Sequence, residues 1–138
     1  MATILAHITV RPDTEHQFEA VARELFAATH RDEREMLRYE YWRGSAPRSY
    51  YVHLSFTDFD AFIAHQVSPH HEAASPRLGE LMESIRLEWI DPVVGASPLP
   101  PTDATSHAAN SGDAGDELTV RYRRRFAASI ADWWLGAR

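Results

Sequence analysis

The sequence predicts an α+β domain of the ferredoxin-like kind, and three observations predict it. Period-two alternation of apolar and polar residues marks strands at 3–11, 36–43, 49–56 and 84–94. Apolar residues at helical spacing mark residues 14–29, and a proline-punctuated helical stretch follows over 58–83. Strand, helix, strand, strand, broken helix, strand is the order of a split β-α-β unit.

In the first strand Ile4, Ala6, Ile8 and Val10 share one face, and Leu5, His7 and Thr9 the other. Pro12-Asp13 then supplies a stop and an expected helix N-cap. Phe18, Val21, Ala22, Leu25 and Phe26 form the apolar stripe of the first helix, which a charged turn, RDERE, closes. The second and third strands flank Gly44-Ser45-Ala46-Pro47, a hairpin connection. Thr57 is the expected cap of a short helix ending near Gln66, with Asp60 at the capping-box position. Ser68-Pro69 and Ser75-Pro76 each read as a cap with proline in the first turn, which divides the helical region into two or three pieces. Pro92 marks the edge-like end of the last strand.

Four strands with helices on one side leave a sheet face uncovered. Both faces carry apolar or aromatic groups, so two copies are expected to pair sheet to sheet as a homodimer. The odd-numbered positions, with His7, His53, Tyr51 and Ser55, are assigned to the helix side as a pocket floor. The even-numbered positions, with Ile8 and Val52, are assigned to the seam between copies.

Composition narrows the chemistry. No cysteine is present, which removes thiolate catalysis, disulfides and cysteine-ligated metal centres. All fourteen basic residues are arginine, so neither a Schiff base nor a phosphate-loop lysine can form. A net charge of −6 argues against a general nucleic-acid binder. The apolar runs are too short to span a bilayer, and the N-terminus lacks the pattern of a secretory signal, so a cytoplasmic setting is expected.

Charge is also unevenly spread: −6 over residues 1–94, −4 over 95–117 and +4 over 118–138. These borders divide the chain into a domain (1–94), an Ala/Ser/Pro/Gly-rich flexible linker (95–117) and an appendage (118–138). In the appendage, 118–126 reads as an edge strand, followed by a helix carrying Ile130, Trp133 and Trp134. A double tryptophan wants a cover, so this tail is expected to contact its own dimer or another protein.

Tyr39-Glu40-Tyr41-Trp42-Arg43, the Tyr50–Phe56 strand and the run FTDFDAFIAHQVSPHHEA (56–73) resemble the antibiotic biosynthesis monooxygenase family. The resemblance covers roughly residues 3–94, and its most specific part is His65 followed by Ser68-Pro69-His70. It implies a dimeric α+β barrel. It also implies oxidation of an anthrone, quinol or polyketide-like phenol by molecular oxygen, with no cofactor and no metal. Phe56 stands where many members carry tryptophan, and His7 where the haem-degrading branch favours asparagine. Both departures weigh against haem degradation.

Cofactor-free oxidation needs a base to make an electron-rich anion, a dry pocket for oxygen, and donors for the growing oxyanion. Histidine titrates near the required range. His70, in the first turn after Ser68-Pro69, is the first choice of base, because the helix N-terminus disfavours its imidazolium. His65 would orient it or bind the substrate, and His7 and His53 would line the pocket. His71, adjacent to His70, points about 100° away around a helix. Tyr51, Phe56 and Trp42 are the candidate aromatic wall, and Arg86 the candidate cation reaching the substrate. The histidines lack a His-Glu-x-x-His spacing, so no metal site is expected. Two other readings use the same residues: a polyketide cyclase-like acid–base enzyme that consumes no oxygen, and a non-catalytic dimer that holds a small ligand or acts as a scaffold.

Overall fold

The computed structural model describes residues 1–102 and 115–137, with side chains as far as residue 127. Residues 103–114 of the expected linker therefore fall outside the described residues, as do the side chains of Ile130, Trp133 and Trp134.

The elements are β1 (Ala2–Val10), α1 (Glu15–Asp32), β2 (Met36–Arg43), β3 (Ser49–Phe56), α2 (Phe59–Gln66), α3 (Pro69–Leu81), β4 (Met82–Trp89) and α4 (Glu117–Ala137). The strands form one sheet in the order β2-β3-β1-β4, and every neighbouring pair is antiparallel. This is the mixed α+β, ferredoxin-like arrangement that the element order predicts.

Local chemistry explains most element borders. Phe18, Val21, Ala22, Leu25 and Thr29 are the buried stripe of α1. Its N-cap is Thr14 rather than Asp13, which sits at φ 62° in the left-handed region that Asp tolerates. The Thr14 hydroxyl donates to the Arg11 and Leu81 carbonyls, so it ties the start of α1 to the end of α3 instead of capping its own helix. In the hairpin, Gly44 is required by close approach, since a Cβ there would lie 2.7 Å from the Ser49 hydroxyl. Asp58, not Thr57, caps α2 by accepting from the Ala61 amide at 2.8 Å. Ser68 caps α3 as expected, with Pro69 in its first turn. Ser75-Pro76 does not divide that helix: Pro76 lies inside a continuous α3, because packing along α1 holds the segment helical.

The sheet faces are the reverse of the sequence assignment. Ile4, Ala6, Ile8, Val10, Tyr50, Val52, Leu54 and Phe56 are buried in one core with Phe18, Leu25, Phe59 and Phe62 from the helices. Cross-strand register places His7 opposite Tyr51 and Arg86, and His53 opposite Glu40, on the other, open face. A strand pattern in which both faces hold apolar groups does not say which face the helices cover. Amphipathic α1 and α2 select the more uniformly aliphatic side, because that burial removes more apolar area from water.

The appendage also departs from expectation. Residues 118–126 are helical, within α4, instead of forming an edge strand. The Asp116 carboxylate accepts from the Thr119 amide at 2.8 Å, and Tyr122 and Phe126, four residues apart, stack along one side. Phe126 is buried edge-on against Phe62 of α2, Tyr122 donates to Glu72, and Arg123 pairs with Asp60. The tail thus packs on its own domain. Among the described residues, no helix is long and apolar enough to cross a membrane.

Candidate active site

A cavity of about 430 Å³ lies between the helix side of the sheet and the helices. Ile8, Val52 and Leu54 form its floor, Leu25 and Leu78 its sides, and Tyr122, Arg125 and Phe126 of α4 part of its wall. Its size falls within the ~300–1,000 Å³ usual for small-molecule sites. The polar groups on this apolar lining include the phenols of Tyr39 and Tyr41 and the imidazoles of His65 and His71.

His65 sits in the last turn of α2, its side chain fully buried among Tyr39, Phe56 and His71. Its Nδ1 lies 2.8 Å and 3.0 Å from the two carboxylate oxygens of Glu33, the C-cap residue of α1. Burial alone would raise the Glu33 carboxyl, but hydrogen bonds and charge from His65 and His70 outweigh it and hold the group below its usual range. Glu33 is therefore a carboxylate at neutral pH. An ionised carboxylate only accepts, so His65 Nδ1 is the donor, and whenever the ring is neutral its lone pair is on Nε2. That Nε2 is buried and has no hydrogen-bond partner. An unpartnered nitrogen on a cavity-lining histidine, oriented from behind by a carboxylate, is the arrangement of a general base once that nitrogen is uncovered.

The two phenols complete the chemistry. Tyr39 and Tyr41 hydroxyls lie 3.1 Å apart. Burial pushes the Tyr39 phenol well above its ordinary value and that of Tyr41 to about 12, so both stay protonated, and the one that accepts in their mutual bond keeps a free O–H. His71 also lines the cavity, and burial, then the charge of neighbouring His65, pushes it down to about 4. It is neutral and a much weaker base than ordinary histidine.

The sequence candidates distribute unevenly. His65 lines the cavity, while His70 turns to Glu33, its Nε2 2.5 Å from Oε1, and lies outside the lining. The start of α3 is rotated so that His71 takes the inward position, the 100° offset between neighbours working opposite to expectation. Phe56 is wholly buried beneath His65, with ring centroids 5.1 Å apart, and does not line the cavity.

His7, His53, Tyr51, Trp42 and Arg86 all lie on the open face, because of the reversed sheet assignment. There His7 and Arg86 share Glu88, each at 3.0 Å, Tyr51 packs edge-on to His7, and the Trp42 indole donates to Glu40. Burial, then the charge of Arg38, lowers the His53 imidazole. A separate cleft of about 510 Å³, at the β2 edge, holds the Arg43–Glu19 pair and no histidine, so it lacks a candidate base.

Sequence reasoning missed Glu33 as a functional group, and it reads Tyr39 and Tyr41 as aromatic wall residues, not as hydrogen-bond donors. Glu33 belongs to a run of charged residues and meets His65 across 32 positions, so no local spacing announces it.

The family model for antibiotic biosynthesis monooxygenases matches residues 1–77, a span that holds Glu33, His65, His70 and His71. A Caulobacter crescentus structure named for that family is 26% identical, with a TM-score of 0.64 over 67% of this chain and 89% of its own. A Mycobacterium tuberculosis protein shares the fold at 21% identity, with a TM-score of 0.63 over 70% of this chain and 98% of its own. So does a Bacteroides thetaiotaomicron protein named for the same family, at 16% identity and a TM-score of 0.66 over 72% of this chain and 95% of its own. No curated protein matches. With a family match over more than half its length and the fold of structures named for that family, the chain belongs to the antibiotic biosynthesis monooxygenase family.

Proposed function

We propose that the protein is a cofactor-independent monooxygenase acting on an electron-rich aromatic, of the anthrone, quinol or polyketide-phenol class. The observation that carries this reading is His65: a cavity-lining histidine with Glu33 on its Nδ1 and an unpartnered Nε2 that is covered in the free protein and must be uncovered as substrate enters. In this scheme His65 Nε2 removes a proton from an acidic CH or phenol of the substrate, and the Glu33 carboxylate stabilises the imidazolium that forms. For an anthrone, the carbanion gives its electrons to molecular oxygen and forms a C–O bond. The resulting peroxide takes the proton back from His65. Loss of water then leaves a ketone, so that CH₂ and O₂ become C=O and H₂O. Whichever of Tyr39 and Tyr41 accepts in their mutual bond donates its free O–H to the developing oxyanion. The apolar floor keeps water from the anion.

Mixing the purified protein with anthrones, hydroquinones and naphthols under air tests this directly. Oxygen uptake with quinone formation is expected. Absence of turnover across the panel overturns it, and turnover without oxygen uptake would assign the same base to a cyclase-like reaction.

Arg125 is the one arginine among the described residues of the cavity wall. In this reading it selects substrates that carry a carboxylate or other anionic group. Arg125→Gln should raise KM for acidic substrates roughly tenfold while leaving kcat and neutral substrates nearly unchanged. Steady-state kinetics on a matched acid and amide pair checks it.

The open face is the proposed seam between two copies. Trp42 is 59% exposed and Tyr51 36%, beside half-buried Leu5, which is more aromatic surface than a free sheet face usually presents to water. His7, His53 and Arg86 would then be interface residues, not pocket residues.

A further inference from the structure

We propose that Glu33, His65 and His70 form a binding site for a divalent cation of the zinc class, and that its occupation turns off His65 as a base. The three side chains come from three different elements: the C-cap of α1, the end of α2 and the first turn of α3. One atom from each, His65 Nδ1, His70 Nε2 and a Glu33 oxygen, lies within 4.8 Å of the others. Both nitrogens already contact Glu33 Oε1, at 2.8 Å and 2.5 Å. Zinc with bonds of about 2.0–2.1 Å sets tetrahedral donors roughly 3.3 Å apart, so the carboxylate must retreat by about 0.5–1 Å and the two nitrogens, within 4.8 Å of each other, must close by up to about 1.5 Å, which partly exposed His70 can do by turning.

The donor set decides the ion. Two imidazoles and one carboxylate suit zinc and neighbouring transition metals, whereas magnesium and calcium require oxygen donors. Access and shielding are also in balance. The side chain of His65 is fully buried, while those of Glu33 and His70 are 14% and 18% exposed, so an ion can enter from the His70 side. Asp32 lies nearby, but Arg31 holds both its carboxylate oxygens, so the charge at the site comes from Glu33. In the structure, protons on the two histidines hold the cluster together, and an ion would displace them.

The consequence for His65 follows from its two nitrogens. A cation on Nδ1 takes that lone pair, and the neutral ring must then carry its proton on Nε2. A substrate reaching Nε2 would then meet an N–H donor instead of an acceptor. Cation binding is independent of the proposed reaction, whereas the loss of activity rests on it.

The test uses the full chain stripped of metal and titrated with zinc chloride by calorimetry near neutral pH. Expected are one ion per chain, proton release, and no heat from magnesium chloride. Glu33→Gln and His70→Ala should each weaken zinc binding by more than about tenfold. Circular dichroism confirms that each variant is folded, and His70, partly exposed, is the safer of the two. No zinc heat with the unaltered protein, or undiminished affinity in folded His70→Ala, overturns the site. If zinc binds there but oxygen uptake continues unchanged, the cation site stands and the assignment of His65 as base falls.

Discussion

His65→Gln should lower oxygen-dependent turnover by roughly 10²- to 10⁴-fold, the usual contribution of a positioned general base. Glutamine keeps the volume of a side chain packed against Tyr39 and Phe56 and retains a polar end toward Glu33. It cannot take up a proton. His65→Ala would also open a hole in the core, which makes it the less informative variant. The loss should fall on kcat, with KM little changed, because the cavity walls remain. Glu33→Gln should reduce kcat by a smaller factor, because the amide can leave His65 in either tautomer. His71→Ala should have a slight effect, since a histidine pushed down to about 4 is a poor base. Stopped-flow oxygen consumption with the substrate found in the panel would measure all three. Full activity in His65→Gln would move the base elsewhere and remove the central support of the proposed chemistry.

Val52→Arg should prevent folding. Val52 is 4% exposed, in the middle of β3 between Ala6 of β1 and Tyr41 of β2, in the floor of the cavity. An unpaired guanidinium there has no carboxylate partner and costs several kcal/mol, against a total stability of about 5–15 kcal/mol for a domain. Trp42→Arg, on the open face of the same sheet, should leave the fold intact and release monomers. Near-ultraviolet circular dichroism and light scattering on the two variants separate the faces. A folded, monomeric Val52→Arg would restore the assignment that the sequence suggests. A Trp42→Arg protein that stayed dimeric would move the seam off the open face.

Local order determined what could be read from the chain alone. The element order, the stripe Phe18-Val21-Ala22-Leu25 and the cap Ser68-Pro69 all rest on neighbours within a turn or two, so periodicity and cap chemistry reveal them. The FIAHQVSPHH run likewise carries its family mark in contiguous residues. Even the helix of residues 117–126 was legible in principle, from Asp116 as cap and Tyr122 and Phe126 four apart, though a row of arginines hid the stripe. Other features depend on contacts between distant segments. Which face of β1 and β3 meets the helices was decided by packing, because a period of two defines two faces and ranks neither. That choice alone sent His7, His53, Tyr51, Trp42 and Arg86 away from the cavity. Glu33 became the partner of His65 and His70 only when the end of α1 came down beside α2 and α3. The rotation of α3 then decided between His70 and His71. Side-chain chemistry is written in the sequence, but which groups share a desolvated site is settled by burial, where the largest free energies act.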